Sequence, residues 1–229
     1  MKAYKGFDKD LKCRDFQYEI GKEYEEQGAK LCEKGFHACE HPLDCFNYYA
    51  PTNSRYCEVE IDATDERHSE DTKVCGEKIK IGAEIGVKGL IKAAFEFTKE
   101  RCTNSEMGGY RSALTGGNSS ALTGGDWSAL TGGYRSALTG GYRSALTGGN
   151  SSALTGGYRS ALTGGDWSVI YGGEGAKVRG GLNSILAIQW WVDDEFIEIK
   201  IAVVDGKKIK ANTFYELDEN GEFKEVEGA

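Results

Sequence analysis

Proline occurs only twice in the 229 residues, at Pro42 and Pro51, which excludes collagen-like and Pro-rich linker architectures. No apolar run reaches the length of a signal-peptide core or a membrane-spanning helix, and Met1 to Asp10 alternates charged with aromatic residues. The chain is therefore expected to stay in the cytoplasm where it is made, with no membrane partner. C-x-x-C pairs are also missing. The seven cysteines form an odd set, all within the first 102 residues, which fits thiols in a reducing compartment better than a secreted disulfide framework. Charge of one sign does not dominate: 28 basic against 36 acidic side chains leave −8, too modest for a disordered acidic tail or for a whole-chain nucleic-acid binder. Gly82-x-x-x-Gly86-x-x-Gly89 lacks the Lys-Ser/Thr of a phosphate-binding loop, so its glycines read as packing positions.

Glycine, by contrast, is abundant: 32 residues, about twice the usual share of ~7%. Its placement is periodic. Gly109 to Ile188 divides into ten octads, written Gly, then Tyr/Asn/Asp, then Arg/Ser/Trp, then Ser-Ala-Leu-Thr-Gly, with the eighth altered and the last two degenerate. Eight residues are too few for a helical pair or a propeller blade, and a Gly-Gly pair at each junction would cost a helix on the order of 1 kcal/mol per glycine. A short strand with a glycine corner remains. In the ninth octad Lys177 and Arg179 occupy positions five and seven, while Ala176 and Val178 occupy four and six. Since the charges belong in water, Ser112, Leu114 and their equivalents point inward, and Arg111, Ala113 and Thr115 outward. The fold class is thus mainly β, a parallel β-solenoid with a leucine stack as core. Two octads per coil give five coils and a rod of about 24 Å at ~4.8 Å per coil. A triangular coil of three octads is the alternative, and ten repeats do not divide by three.

Four regions follow. Residues 1–78 read as a small α+β domain, with strands at Tyr4–Phe7, Phe16–Ile20, Lys34–Ala38 and Arg55–Ile61 and a helix from Pro42 to Tyr49. Residues 79–108 form a capping helix and connector, Leu90, Ile91, Ala94, Phe95 and Thr98 marking the apolar face of Gly82–Arg101. Residues 109–188 are the solenoid, and 189–229 an antiparallel β cap with strands at Phe196–Val204 and Ile209–Leu217 and turns at Asp205-Gly206 and Asn220-Gly221.

The stretches MKAYKGFDKDLKCR, FQYEIGKEY, GFHACEHPLDCFNYY, KIKIGAEIG and VDGKKIKANTFY resemble a family of uncharacterised bacteriophage and prophage proteins, in which short Ser-Ala-Thr-Gly repeats also fill the middle. The likeness covers most of the chain and implies a phage gene acting in a host cell. A second resemblance is to ADP-ribosyltransferase-like domains, through Tyr4-Lys5-Gly6, Gly35-Phe36-His37 leading into the Pro42 helix, and Glu58-Val59-Glu60. Lys5 stands where that pattern has arginine, and no Ser-Thr-Ser follows.

Cys32, His37, Cys39, His41 and Cys45 are ligand types for zinc, but their spacing matches no ribbon, so no metal, cofactor or catalytic residue is expected. Net charges of −5, +3 and −6 for residues 1–108, 109–188 and 189–229 make the repeat the basic part of an acidic protein. Tyr110, Arg111, Trp127, Tyr134, Arg135, Tyr142, Arg143, Tyr158, Arg159 and Trp167, at the variable positions, form a candidate surface for a host protein, a nucleotide or a nucleic acid. Ala113, Thr115, Ala129, Thr131, Ala145 and Thr147 form a flat small-residue face suited to a homodimer or larger homo-oligomer. The expected function is that of a non-enzymatic phage interaction protein, a host-defence antagonist. The alternatives are an enzyme acting on NAD or nucleic acid through the N-terminal domain, and a structural or ice-binding rod.

Overall fold

The computed structural model describes residues 1–50, 53–69, 71–193 and 196–227, and its chain divides into two units, Met1–Ala94 and Phe95–Ala229. The first unit holds β1 (Lys2–Phe7), β2 (Lys12–Cys13), β3 (Phe16–Gln17), β4 (Glu23–Glu25), β5 (Phe36–Cys39), β6 (Arg55–Ala63) and β7 (Lys73–Glu84). β1 lies between β5 and β6, and β7 pairs with both of these, so four antiparallel strands close a ring, with β4 added along the second half of β7. Ala3, Phe7, Val59, Ile61, Val74, Ile79 and Ile81 fill its interior. On the reverse of β1, Tyr4 packs with Cys39, Cys45, Tyr56 and Leu90. Gly6 makes room there: a Cβ on it would stand 2.7 to 2.9 Å from Tyr49 side-chain atoms.

Three expectations change in this unit. Pro42–Asn47 is a single 3-10 segment, shorter than the expected helix, and His41 caps it by accepting from the Leu43 amide at 3.3 Å. The strand expected over Phe16–Ile20 is limited to Phe16–Gln17. The segment from Gly82 is divided: β7 runs through residue 78 to Glu84, and α1 spans Gly86–Glu100. The Lys78-Ile79-Lys80-Ile81 alternation carries the strand, since Ile79 and Ile81 are buried while the lysines are exposed.

In the second unit two octads make one coil. Leu122 pairs in register with Leu138, and Leu130 with Leu146, each sixteen residues apart in parallel strands. One sheet stacks β8 (Asn104–Met107), β10 (Ser120–Thr123), β12 (Ala137–Thr139), β14 (Ala153–Gly156), β16 (Val169–Gly172) and β18 (Ile185–Asp193). The other stacks β9 (Ala113–Thr115), β11 (Ala129–Thr131), β13 (Ala145–Thr147), β15 (Ala161–Thr163) and β17 (Lys177–Arg179). Leucines from both sheets meet in one buried core.

The narrow coil explains each fixed position. The serines are buried and satisfied along the stack: the Ser152 hydroxyl donates to the Gly133 carbonyl at 3.2 Å and accepts from the Ser136 amide at 3.2 Å, and Ser160 and Ser168 repeat this. Ser112, in the first coil, has no partner for its hydroxyl among the described residues. Both glycines serve close approach. A Cβ on Gly148 would stand 2.8 Å from the Ser152 Cβ, and one on Gly149 would stand 2.9 Å from the Gly133 carbonyl carbon of the neighbouring coil. Neither has a left-handed φ. That conformation falls on position three instead, from Arg111 at 57° through Ser151 at 57° to Trp167 at 59°, with Gly175 at 65° and Asn183 at 60° in the degenerate octads.

The ends are closed differently. On β8, Glu106 takes the register position of a leucine, opposite Leu122, and all four residues are exposed. A charge in the inward row makes that edge a poor template for another strand. At the other end β18 pairs antiparallel with β19 (Phe196–Val203), while β20 (Phe214–Leu217) and β21 (Phe223–Val226) extend the second sheet. Asp205-Gly206 is therefore not a hairpin turn, since β19 and β20 belong to different sheets, and the second strand begins at Phe214 instead of Ile209. The chain crosses the rod there, with the Asp205 carboxylate accepting from the Lys207 and Ile209 amides at 2.8 and 3.0 Å. Val204, Ile209 and Tyr215 close the leucine core. The expected turn at Asn220-Gly221 joins β20 to β21, with Gly221 at φ 75°.

A left-handed L residue costs roughly 1–2 kcal/mol, of which about 0.5–1 returns as entropy when glycine replaces it. Ser151→Gly should thus gain about 0.5 kcal/mol in urea unfolding, and Ser151→Val should lose about 2 kcal/mol.

Candidate binding sites

Sixteen-residue coils sort the octads alternately onto two edges of the rod. One edge receives Tyr110-Arg111, Asp126-Trp127, Tyr142-Arg143, Tyr158-Arg159 and Glu174-Gly175; the other receives Asn118-Ser119, Tyr134-Arg135, Asn150-Ser151, Asp166-Trp167 and Leu182-Asn183. The ten candidate side chains do not form one surface. Tyr110, Arg111, Trp127, Tyr142, Arg143, Tyr158 and Arg159 share the first edge, and Tyr134, Arg135 and Trp167 stand on the second.

The two edges have different chemistry. On the second, Asn118, Asn150 and Asp166 each accept a backbone N–H from the next coil, at 2.9 Å from Tyr134, 3.1 Å from Asp166 and 2.7 Å from Leu182. These side chains hold coils together. On the first edge only Asp126 does this, accepting from the Tyr142 amide at 2.8 Å. Tyr110-Arg111, Trp127, Tyr142-Arg143 and Tyr158-Arg159 form a ladder of rings and guanidinium groups that ends at Glu174-Gly175, while the second edge has one such pair, Arg135 lying 4.8 Å from the Tyr134 centroid. Tyr142 and Tyr158 stack with centroids 5.7 Å apart and planes 8° apart, and Trp127 meets Tyr142 edge-on at 5.9 Å. The Arg143 guanidinium lies 5.0 Å from the Trp127 centroid and 5.2 Å from that of Tyr142; Arg111 and Arg159 lie 5.1 and 5.0 Å from Tyr110 and Tyr158. No ion pair among the described residues uses these arginines. Their guanidinium groups lie against the rings and have no ion-pair partner among the described residues.

The sheet faces differ as well. Ala113, Ala129 and Ala145 with Thr115, Thr131 and Thr147 are all exposed on one sheet. Ala121 and Ala137, which alternation along the sequence groups with Ala113 and Ala129, belong to the opposite sheet, because consecutive octads face opposite ways in a two-octad coil. Ala137 and Ala153 are buried there, and the Cys102 thiol lies 3.9 Å from the Arg135 carbonyl beside them.

A site missed in the sequence lies in the first unit. Along β1, Ala3 and Phe7 face the interior, and Lys5 between them does the same, only 5% exposed. Its ammonium donates to the His37 carbonyl at 2.8 Å, stands 3.6 Å from the Cys13 sulfur, and lies 5.5 Å from the ring centroids of both Phe7 and Tyr18. It lines a cavity of about 600 Å³ with Cys13, Arg14, Phe16, Tyr18, Tyr24, Phe36 and His37, and with Asp15, Glu25 and Glu26 among the exposed lining. Phe16, Tyr18, Tyr24 and Phe36 contact one another mostly edge-to-face. His37 Nε2 accepts from the Cys32 amide at 2.9 Å, and burial followed by the charges of Lys5, Lys73 and Arg14 lowers its pKa. The signal in the sequence was a lysine two residues from apolar neighbours on both sides of a strand.

Of the residues in the transferase-like pattern, Lys5 and His37 converge on this cavity. Glu58 pairs with Lys2 at 2.8 Å, and Glu60 is exposed beside Lys2 and Lys80 on β6; neither lines it. The zinc-type residues disperse: His37 lines the cavity, His41 caps the 3-10 segment, Cys39 and Cys45 are buried together, and Cys32 is exposed. No helix among the described residues is long and apolar enough to cross a membrane.

Residues 1–93 match the model of an uncharacterised family described as "Domain of unknown function (DUF7666)", a span that ends one residue short of the first unit. No curated protein and no solved structure matches the chain.

Proposed function

We propose that the protein is a non-enzymatic interaction protein that grips an acidic macromolecule, a host protein, along the first edge of the solenoid. The observation that supports this is the contrast between edges. The second edge binds coil to coil through three caps, Asn118, Asn150 and Asp166, with one Tyr-Arg pair and Trp167 among them. The first has one such cap, Asp126, and a ladder of three Tyr-Arg pairs and Trp127 that coil pairing does not require. Tyr, Trp and Arg are the residues that dominate interface hot spots, and rings already packed against guanidinium groups lose little freedom on binding. Because those guanidinium groups occupy ring faces, the ladder favours carboxylates over stacked bases. The resemblance to phage and prophage proteins supports a phage gene acting as a host-defence antagonist in the host cytoplasm. With wild-type protein on a sensor surface at low salt, poly-L-glutamate should bind, and combined reversal of Arg111, Arg143 and Arg159 to Glu should weaken this by at least about tenfold, since rim charges act on association. Arg135→Glu, on the other edge, should change it little. Equal binding by the triple variant refutes the proposal, and stronger binding of oligo(dT) than of poly-L-glutamate transfers it to nucleic acid.

The exposed Ala/Thr face of β9, β11 and β13 supports self-association, since flat sheets of small residues pack about 10 Å apart. Light scattering should give a dimer or larger closed oligomer at micromolar concentration, and Ala129→Arg should give a monomer. A wild-type monomer contradicts this.

A further inference from the structure

We propose that the cavity of the first unit binds a small organic anion composed of a flat ring and a carboxylate or phosphate group, the charge held by Lys5 and the ring by Phe16, Tyr24 and Phe36. This rests on observations independent of the solenoid edge. A lysine at a core-facing position of a central strand is costly, because its ammonium gives up water; such groups are ordinarily paired with a buried carboxylate. Lys5 has none within ion-pair distance among the described residues. An ammonium has three donors, and Lys5 uses one on the His37 carbonyl and faces the weak acceptor Cys13 with another. The remaining donor belongs to a group that lines the cavity.

The surroundings add to that charge. Arg14 sits at the tip of the β2–β3 hairpin with φ 55° and lines the cavity, and His37, whose pKa is lowered first by burial and then by the charges of Lys5, Lys73 and Arg14, lines it as well. An anion is the ligand that Lys5 and Arg14 attract. The walls set the rest of the ligand. Phe36 is buried, Tyr24 is half-buried and Phe16 is 46% exposed, so the aromatic lining runs from the interior to the rim. A volume of about 600 Å³ suits a molecule of one or two rings. The acidic groups Asp15, Glu25 and Glu26 are exposed and so select against a second anionic group at the rim.

The test uses the full chain and three probes, benzoate, adenosine monophosphate and inorganic phosphate, with calorimetry and NMR titration of the His37 ring as readouts. Benzoate or adenosine monophosphate should saturate one site with Kd below about 1 mM, and the His37 pKa should rise when it is bound, because the anion offsets the charges that lower it. Binding of the first alone identifies a carboxylate ligand and of the second alone a phosphate ligand. Inorganic phosphate, without a ring, should bind at least about tenfold more weakly. Lys5→Met should weaken the ring-bearing probe by at least about tenfold, and Arg14→Gln, at an exposed turn where folding is not at stake, by a few-fold. The proposal is overturned if neither ring-bearing probe saturates, if inorganic phosphate binds as tightly, or if the wild-type affinity survives both substitutions.

Discussion

The space inside one coil holds one leucine and one serine from each regular octad, or small and aliphatic substitutes such as Ala176 and Val178, and the rest of the solenoid follows from that narrowness. Opposite walls approach so closely that Gly148 cannot carry a Cβ without striking Ser152, and successive coils so closely that Gly149 cannot carry one without striking Gly133. With both glycines committed to space, the turn has to take its left-handed residue at position three, where the side chain projects away from the core. Backbone strain is thereby placed at one of the two positions that vary among the regular octads. The hydroxyls of Ser152, Ser160, Ser168 and Ser184 are each met by a carbonyl and an amide of the neighbouring coil, so along this part of the stack the polar row inside the core joins coils instead of opening a gap between them.

That same geometry separates display from construction. Because a coil takes two octads, alternate octads appear on opposite edges, and an irregular sequence of Tyr-Arg, Asn-Ser and Asp-Trp pairs becomes two ordered columns. One column is rich in caps that accept amides from the next coil, and the other presents arginines seated on rings. A single edge can then change its side-chain chemistry without touching the leucine and serine rows. The first unit is built on another principle, a closed ring of strands whose interior admits one lysine, and its span coincides with that of an uncharacterised domain family.

The solenoid was legible because its repeat exposes the alternation: Lys177 and Arg179 fixed which rows face water, and the buried Leu122 to Leu162 row follows. The edges were less so, since assignment of Arg135 and Arg143 to opposite sides depends on the number of octads per coil, which one octad does not contain. β7 was obscured by glycines, for Gly76 and Gly82 lie in a strand where close backbone approach, 2.8 Å from a Gly82 Cβ to the Glu58 carbonyl, takes the place of side-chain packing. The Asp205-Gly206 pair has the composition of a hairpin turn, yet the demand to close the open end of the core draws the chain across to the other sheet. Lys5 escaped notice because a lysine in a strand ordinarily marks the solvent face, and its neighbours Ala3 and Phe7 were the better guide.

The sixteen-residue coil is what sorts the octads onto two edges, and a double-mutant cycle reads it directly. Thr131 and Thr147 are exposed and face one another across adjacent parallel strands. Urea unfolding of Thr131→Lys, Thr147→Glu and the pair should give a favourable coupling of about 0.5 kcal/mol that falls with added salt, as for opposite charges side by side in a sheet. The pair Thr131→Lys with Thr155→Glu, twenty-four residues apart and on opposite sheets, should give none. Coupling in the second pair and its absence in the first would contradict the two-octad coil and the division of edges that depends on it.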